Sequence, residues 1–139
     1  MSRKRKNTGK RLHKNSQART KIEAKVAQYL DELGLDYKQN HRVDRYSVDF
    51  LVDDKYIIEC YGDFWHCNPE KYGPDYYNRG LKCQAQDRWN RDFQRQYHLE
   101  SSGFPMLVLW ENHIKNNAKY CKLLIKKHLN GVDENREIA

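Results

Sequence analysis

Apolar side chains recur at three- and four-residue steps near the start of the chain. Ile22, Val26, Leu30 and Leu33 share one helical face and Gly34 supplies a stop, so the spacing predicts a helix over 20–33. The period then changes. A partly exposed strand is expected over 35–43. Over 46–52 the pattern alternates, which sets Val48, Phe50 and Val52 on one face and Asp49 and Leu51 on the other. Asp53-Asp54 reads as a turn and 55–61 as the returning strand of a hairpin. Trp89, Phe93 and Tyr97 form a stripe within a helix expected over 82–101, with Gly103 ending it. The near-continuous apolar run 104–110 suits a strand buried on both faces. Ile114, Ala118, Cys121, Ile125 and Leu129 then predict one amphipathic helix over 114–129, ending at Gly131. The order is α-β-β-β-α-β-α. It implies an α/β fold with a mixed central β-sheet flanked by helices.

Two segments fall outside that period. Residues 1–17 are polar and basic without apolar recurrence, and read as a disordered arm. Residues 18–131 form the expected domain, and 132–139 a frayed tail. Between the third strand and the long helix, 62–81 is irregular, punctuated by Pro69, Gly73, Pro74 and Gly80. It is also aromatic, with Phe64, Trp65, Tyr72, Tyr76 and Tyr77. A long loop of this kind inside a small domain is more often functional than accidental.

Charge sharpens the picture. The net charge of +7 is uneven: residues 1–22 hold nine Lys or Arg and no acid, against 17 basic and 19 acidic residues in the remainder. Arg3, Lys4, Arg5, Lys6, Lys10 and Arg11 in the arm suit a polyanion, because each cation on a phosphate releases a counterion. The same run also suits a solvated tail. The apolar runs are too short to cross a bilayer and the N-terminus is charged, so a soluble, cytoplasmic protein without membrane contact is expected. The four cysteines form no C-x-x-C pair and read as thiols.

The candidate chemistry gathers around the hairpin. Asp49 lies inside a strand among Val48, Phe50 and Leu51, where ionisation is costly unless a cation offsets it. The hairpin carries it toward Glu59, Cys60 and Tyr61. Carboxylate and backbone carbonyl oxygens are hard ligands that suit Mg²⁺. His66 stands just beyond the end of that strand, where an imidazole is able to move a proton to or from water.

These residues carry a family resemblance. Ile22-Glu23, Val48-Asp49-Phe50, Gly62-x-Phe64-Trp65-His66, Arg91-Asp92 and Val108-Leu109-Trp110-Glu111 stand in matching order and approximate spacing. Over 20–113 the chain resembles the very-short-patch repair (Vsr) endonucleases and phage-type homing endonucleases of the PD-(D/E)-X-K superfamily. The resemblance implies a restriction-endonuclease-like core. It also implies a Mg²⁺-dependent endonuclease acting on double-stranded DNA, in a bacterial cell or phage-infected host. Asp49 then matches the metal-binding aspartate, His66 the catalytic histidine, Glu23 the supporting helix glutamate and Asp92 the late acid. Cys60 matches a residue whose main-chain carbonyl helps hold the metal. Phe64 and Trp65 match aromatics that wedge between base pairs. Arg88, Arg91 and Arg95 are expected on phosphates, and a monomer is favoured.

The departures are specific. Tyr61 replaces a second histidine, and Glu59 has no acidic counterpart in the repair enzymes, although it fits the acidic position of the wider pattern. Asp63 and Asn112 replace cysteines of a structural zinc site, so no zinc is expected; Cys67, Cys83 and His113 would be the donors of a new one. Structural readings compete throughout. Thr20-x-x-Glu23 is a capping box that would occupy Glu23. Asp92 has Arg88, Arg91 and Arg95 within helical reach, and Glu59 has the option of a lysine partner. Phe64 and Trp65 also suit a core. A catalytically inactive DNA-binding module of the same fold, or a nuclease acting on RNA, remains the alternative function.

Overall fold

A computed structural model describes residues 20–130. The arm cations Arg3, Lys4, Arg5, Lys6, Lys10 and Arg11, Gly131 and the tail lie outside the described residues. The elements are α1 (Lys21–Glu32), β1 (Tyr37–Val43), β2 (Tyr46–Val52), β3 (Tyr56–Tyr61), β4 (Tyr77–Asn78), β5 (Cys83–Gln84), α2 (Ala85–Ser101), β6 (Met106–Trp110), α3 (Glu111–Asn116) and α4 (Ala118–Asn130). The main sheet runs β1-β2-β3-β6. Its first three strands are antiparallel, and β6 joins parallel to β3 after the crossover through α2. The expected mixed α/β sheet flanked by helices is therefore what forms.

Two cores hold it. On one face Val26, Ala27, Tyr29 and Leu30 of α1 and Cys121 and Ile125 of α4 cover Phe50, Val52, Ile58, Cys60 and Leu109. On the other, Leu99 of α2 packs with Val48, Leu51, Ile57, Tyr61 and Met106. β6 supplies Leu109 to one core and Met106 to the other, as its continuous apolar run requires. α1 starts on the capping box, with Glu23 N–H on Thr20 Oγ1 at 3.2 Å and Thr20 N–H on Glu23 Oε1 at 3.0 Å.

Four expectations are corrected. Val48 joins the Leu51 cluster rather than that of Phe50 and Val52. Strict alternation fails where the ladder from β2 to β3 ends at Phe50↔Ile58 and where Asn40 of the facing β1 takes φ 48. The single helix over 114–129 is two, broken at Asn117, which leaves helical angles (φ −148, ψ 71) and whose Oδ1 accepts the Tyr120 N–H. The irregular segment contains a short hairpin, β4 against β5, so the long helix begins at Ala85 rather than at 82. Finally, the Phe93 and Tyr97 stripe faces solvent, 67% and 66% exposed, and the two rings stack on each other. The inward face of α2 instead carries Ala85, Asp92 and Leu99. A periodic aromatic stripe marks one side of a helix; it does not say which side the sheet covers.

These two phenylalanines give a direct comparison. Phe50→Ala removes a fully buried ring and is expected to cost about 3–5 kcal/mol of unfolding free energy. Phe93→Ala is expected to stay within about 0.5 kcal/mol. Urea unfolding followed by circular dichroism measures both, and equal losses would place Phe93 in a core.

Candidate active site

The sheet opens between its two central strands. Below Phe50↔Ile58, β2 keeps pairing with β1 and β3 with β6, but not with each other. Buried N–H groups left by such a fork need acceptors, and two carboxylates provide them. The Asp49 N–H donates to Glu59 Oε2 at 2.9 Å, and the Cys60 N–H donates to Asp49 Oδ2 at 2.8 Å. The fork thereby holds two acids at its crotch.

A polar cleft of about 320 Å³ occupies the fork, lined by Glu23, Ser47, Asp49, Glu59, Cys60, Tyr61, His66, Arg88, Asp92 and Arg95. It brings together Asp49, His66, Glu23, Asp92, Glu59 and Cys60 from separate stretches of the chain. Burial, then the nearby Glu59 and Glu23, push the Asp49 carboxyl up to about 8, against the opposing bond from Cys60. Glu23 lines the same cleft and adds to this rise, after burial and Glu59. Glu23 therefore serves both readings, because its carboxyl caps α1 and its side chain also lines the cleft with Asp49.

Glu59 has a different employment from the expected metal ligand. Its Oε1 takes Arg95 Nη1 at 2.5 Å while Oε2 takes the Asp49 N–H. Burial still raises its pKa despite Arg95. Its partner is an arginine on α2 rather than a lysine. Arg95 also donates to the Ser47 carbonyl at 2.8 Å, and Arg88 grips Asp92 at 2.7 and 3.0 Å. Both guanidiniums expected on phosphates are thus committed to acids within the cleft. Arg91 is exposed and reaches only Cys83 Sγ, at 3.3 Å.

The His66 ring is held from two sides. Its Nδ1 meets Asp92 Oδ2 at 2.9 Å, and its ring stacks on Tyr61 at 3.8 Å and 6°. Burial opposes ionisation of Asp92, but bonds from His66 and Arg88 outweigh it and hold that carboxyl below its usual range. An ionised Asp92 accepts the Nδ1 proton, which leaves Nε2 as the basic nitrogen. Tyr61, where the resembled repair enzymes have a histidine, thus supplies a ring platform. Its hydroxyl is pushed far above the usual tyrosine range by burial.

The loop bearing His66 is anchored without metal donors. Asp63 N–H donates to Glu111 Oε1 at 2.9 Å, while the Asp63 carboxylate takes Asn68 Nδ2 at 2.9 Å and Lys71 Nζ at 3.0 Å. Burial opposes its ionisation, but Asn68 and Lys71, with the Asn112 backbone adding to them, hold that carboxyl below its usual range. Cys67 is buried near Asn78, Cys83 meets Arg91, and His113 packs on Tyr120. Among the described residues no three His, Cys, Asp or Glu side chains stand close enough to hold a metal ion as a group. Phe64 and Trp65 pack edge to face, with Trp65 54% exposed, so Trp65 at least is not core. Ser47, Tyr61 and the fully buried Asn78 were missed as site and loop supports. The turn-forming Asn-Arg-Gly at 78–80 was the available signal for Asn78.

The raised Asp49 carboxyl has a stability consequence. The folded state keeps a proton up to about pH 8 that the unfolded chain releases near 3.8, so above 3.8 the folded state binds more protons. Stability from this group is full below pH 4 and falls as pH rises to about 8, by up to about 1.4 kcal/mol per pH unit. Asp49→Asn keeps an acceptor for the Cys60 N–H and loses the titration. Its stability advantage over wild type, measured by urea unfolding in chelator, is expected to grow from pH 5 to pH 8. A constant difference would mean Asp49 is already ionised.

No protein-family model and no curated protein matches the sequence. Among the described residues no helix is long and apolar enough to cross a membrane. A solved structure titled "Homing Endonuclease I-Bth0305I Catalytic Domain" is similar at a TM-score of 0.57 and 24% identity, covering 79% of this chain and 94% of that one. The chain shares the fold of that catalytic domain.

Proposed function

We propose that the chain is a Mg²⁺-dependent endonuclease that hydrolyses phosphodiester bonds of double-stranded DNA. The observation that carries this reading is the fork itself: the buried Asp49 carboxyl, its pKa raised, stands with Glu23 in a polar cleft, and an oriented imidazole lines the same space. A buried carboxyl that favours its protonated form, with a second carboxyl beside it, fits a divalent cation in the proton's place. Mg²⁺ keeps several of its waters and commonly uses only one or two carboxylates, so a larger cage is not needed. Asp49 and Glu23 would hold it, together with a main-chain carbonyl near Cys60; Glu59 would hold Arg95 instead. Bound there, Mg²⁺ would offset the negative charge that develops on the phosphate during hydrolysis.

The protein's own groups do the rest. His66 Nε2 exchanges a proton with a water in the cleft, as general base or acid. Asp92 fixes the tautomer and Arg88 keeps Asp92 ionised. Tyr61 holds the ring plane, and Arg95 offsets the Glu59 charge beside the reacting phosphate. Phe64 and Trp65 meet DNA bases, and the basic arm adds phosphate contacts that carry no sequence information. The shared fold with a homing endonuclease catalytic domain supports the reaction class, and the resemblance to Vsr-like enzymes points the same way.

Supercoiled plasmid incubated with purified protein tests this. Wild type is expected to nick or linearise it only with Mg²⁺. Asp49→Asn is expected to fold, to bind DNA, and to lose cleavage by orders of magnitude. His66→Ala is expected to lower the single-turnover rate by roughly 10²–10⁴-fold while Mg²⁺ still raises the melting temperature. Full cleavage by both variants would overturn the mechanism. A wild type that binds DNA but cuts none with any divalent metal would favour a binding module.

A further inference from the structure

The β4–β5 hairpin has no part in the chemistry above, yet the fold devotes a fully buried asparagine to it. Two strands of two residues are too short to stand alone. Asn78 supplies the missing support. Its Nδ2 donates to the Phe64 carbonyl at 2.7 Å, its Oδ1 accepts the Leu81 N–H at 2.9 Å, and its main-chain carbonyl accepts the Lys82 N–H at 2.7 Å. One side chain thus closes the turn and ties it to the loop that carries Trp65 and His66.

The turn meets Trp65 at Gly80. A Cβ built there would lie 2.7 and 2.8 Å from two atoms of the indole and 3.1 Å from the Phe64 ring. Gly80 does not take a left-handed φ, so its lack of a side chain serves the close approach of Trp65. The indole rests against bare backbone and stays half exposed. On either side, Arg79 and Lys82 are exposed. Among the described residues neither side chain has a hydrogen bond or ion pair. From 76 to 84 the hairpin has these two cations and no acid. Arg91, held on Cys83 Sγ, adds a third cation at its base.

An exposed indole on a pinned platform, flanked by uncompensated cations, is complementary to base faces and backbone phosphates together. We propose that the β4–β5 hairpin is a docking platform for duplex DNA, in which Gly80 sets the position of the Trp65 indole and Arg79 and Lys82 bind the phosphates beside it. The identity of the partner rests on the nuclease reading. The platform reassigns phosphate binding from Arg88 and Arg95, whose guanidiniums serve acids in the cleft, to side chains that are free.

Binding of a fluorescent duplex to the full chain in chelator, followed by anisotropy across a salt series, tests it apart from cleavage. Arg79→Ala/Lys82→Ala is expected to lower the slope of log K against log salt by about 2, the loss of two phosphate contacts. Lys126→Ala/Lys127→Ala, two exposed cations on α4, is the control and should keep the wild-type slope. An unchanged slope in the first variant, or equal losses in both, overturns the platform. Gly80→Val is expected to abolish the part of DNA-induced tryptophan quenching that Trp65→Phe also removes, with a melting curve confirming the fold. Retention of full quenching by Gly80→Val overturns the role of Gly80. If plasmid cleavage behaves as proposed but the slope does not change, the platform alone fails. If the slope changes but no metal supports cleavage, the nuclease reading alone fails.

Discussion

Where β2 parts from β3, two carboxylates take over bonds that a ladder would have made. Asp49 and Glu59 each accept an N–H from the opposite strand's end of the fork. That exchange keeps the fork open while leaving these two N–H groups satisfied, and it places both acids in one low-dielectric cleft. Two ionised carboxylates cannot sit there uncompensated. The structure resolves the conflict differently for each. Glu59 receives Arg95 from α2, and Asp49, in the same cleft as Glu23 of α1, keeps its proton well above the usual carboxylate range. One acid is neutralised permanently by protein, and the other by something that a cation is able to displace. The asymmetry between the two is the chemical character of the site.

Each layer of the fold contributes to this arrangement. α1 offers Glu23 from its first turn, where the capping box already fixes its backbone. α2 turns Arg88, Asp92 and Arg95 into the cleft beside its buried Ala85 and Leu99, while His98 and Glu100 tie its far end to Asp44 and to the Met106 N–H. The loop after β3 is clasped to α3 by Asp63 and Glu111 and to the hairpin by Asn78. His66 therefore stands on a loop braced from both ends, with its ring plane set by Tyr61. A positioned imidazole on a braced loop needs little reorganisation to meet a substrate.

Much of this was legible in the sequence, and the gaps have physical causes. Asp49 stood out because an acid among Val48, Phe50 and Leu51 violates the pattern around it. The sheet followed from periods of two and the flanking helices from periods near four. What the periods do not contain is partner choice. Nothing in the spacing of Arg88, Arg91 and Arg95 says that the first and last turn inward and the middle one outward; that depends on which face of α2 meets the sheet. The same limit holds for Phe93 and Tyr97, whose stripe did not say which side of α2 faces solvent. Glu23 was read as cap or site because one carboxyl seemed too few for both, but it accepts the Thr20 N–H and still lines the cleft with Asp49. The two-residue strands were too short for any period to mark.

The account stands on the proton in the fork being held where a cation belongs. Calorimetric titration of Mg²⁺ into the protein at pH 7, repeated in buffers of different ionisation enthalpy, counts the protons released on binding. The account predicts saturable binding with release of close to one proton in wild type, and little release or binding in Asp49→Asn. Saturable binding that releases no proton, or that is unaffected by Asp49→Asn, would contradict it.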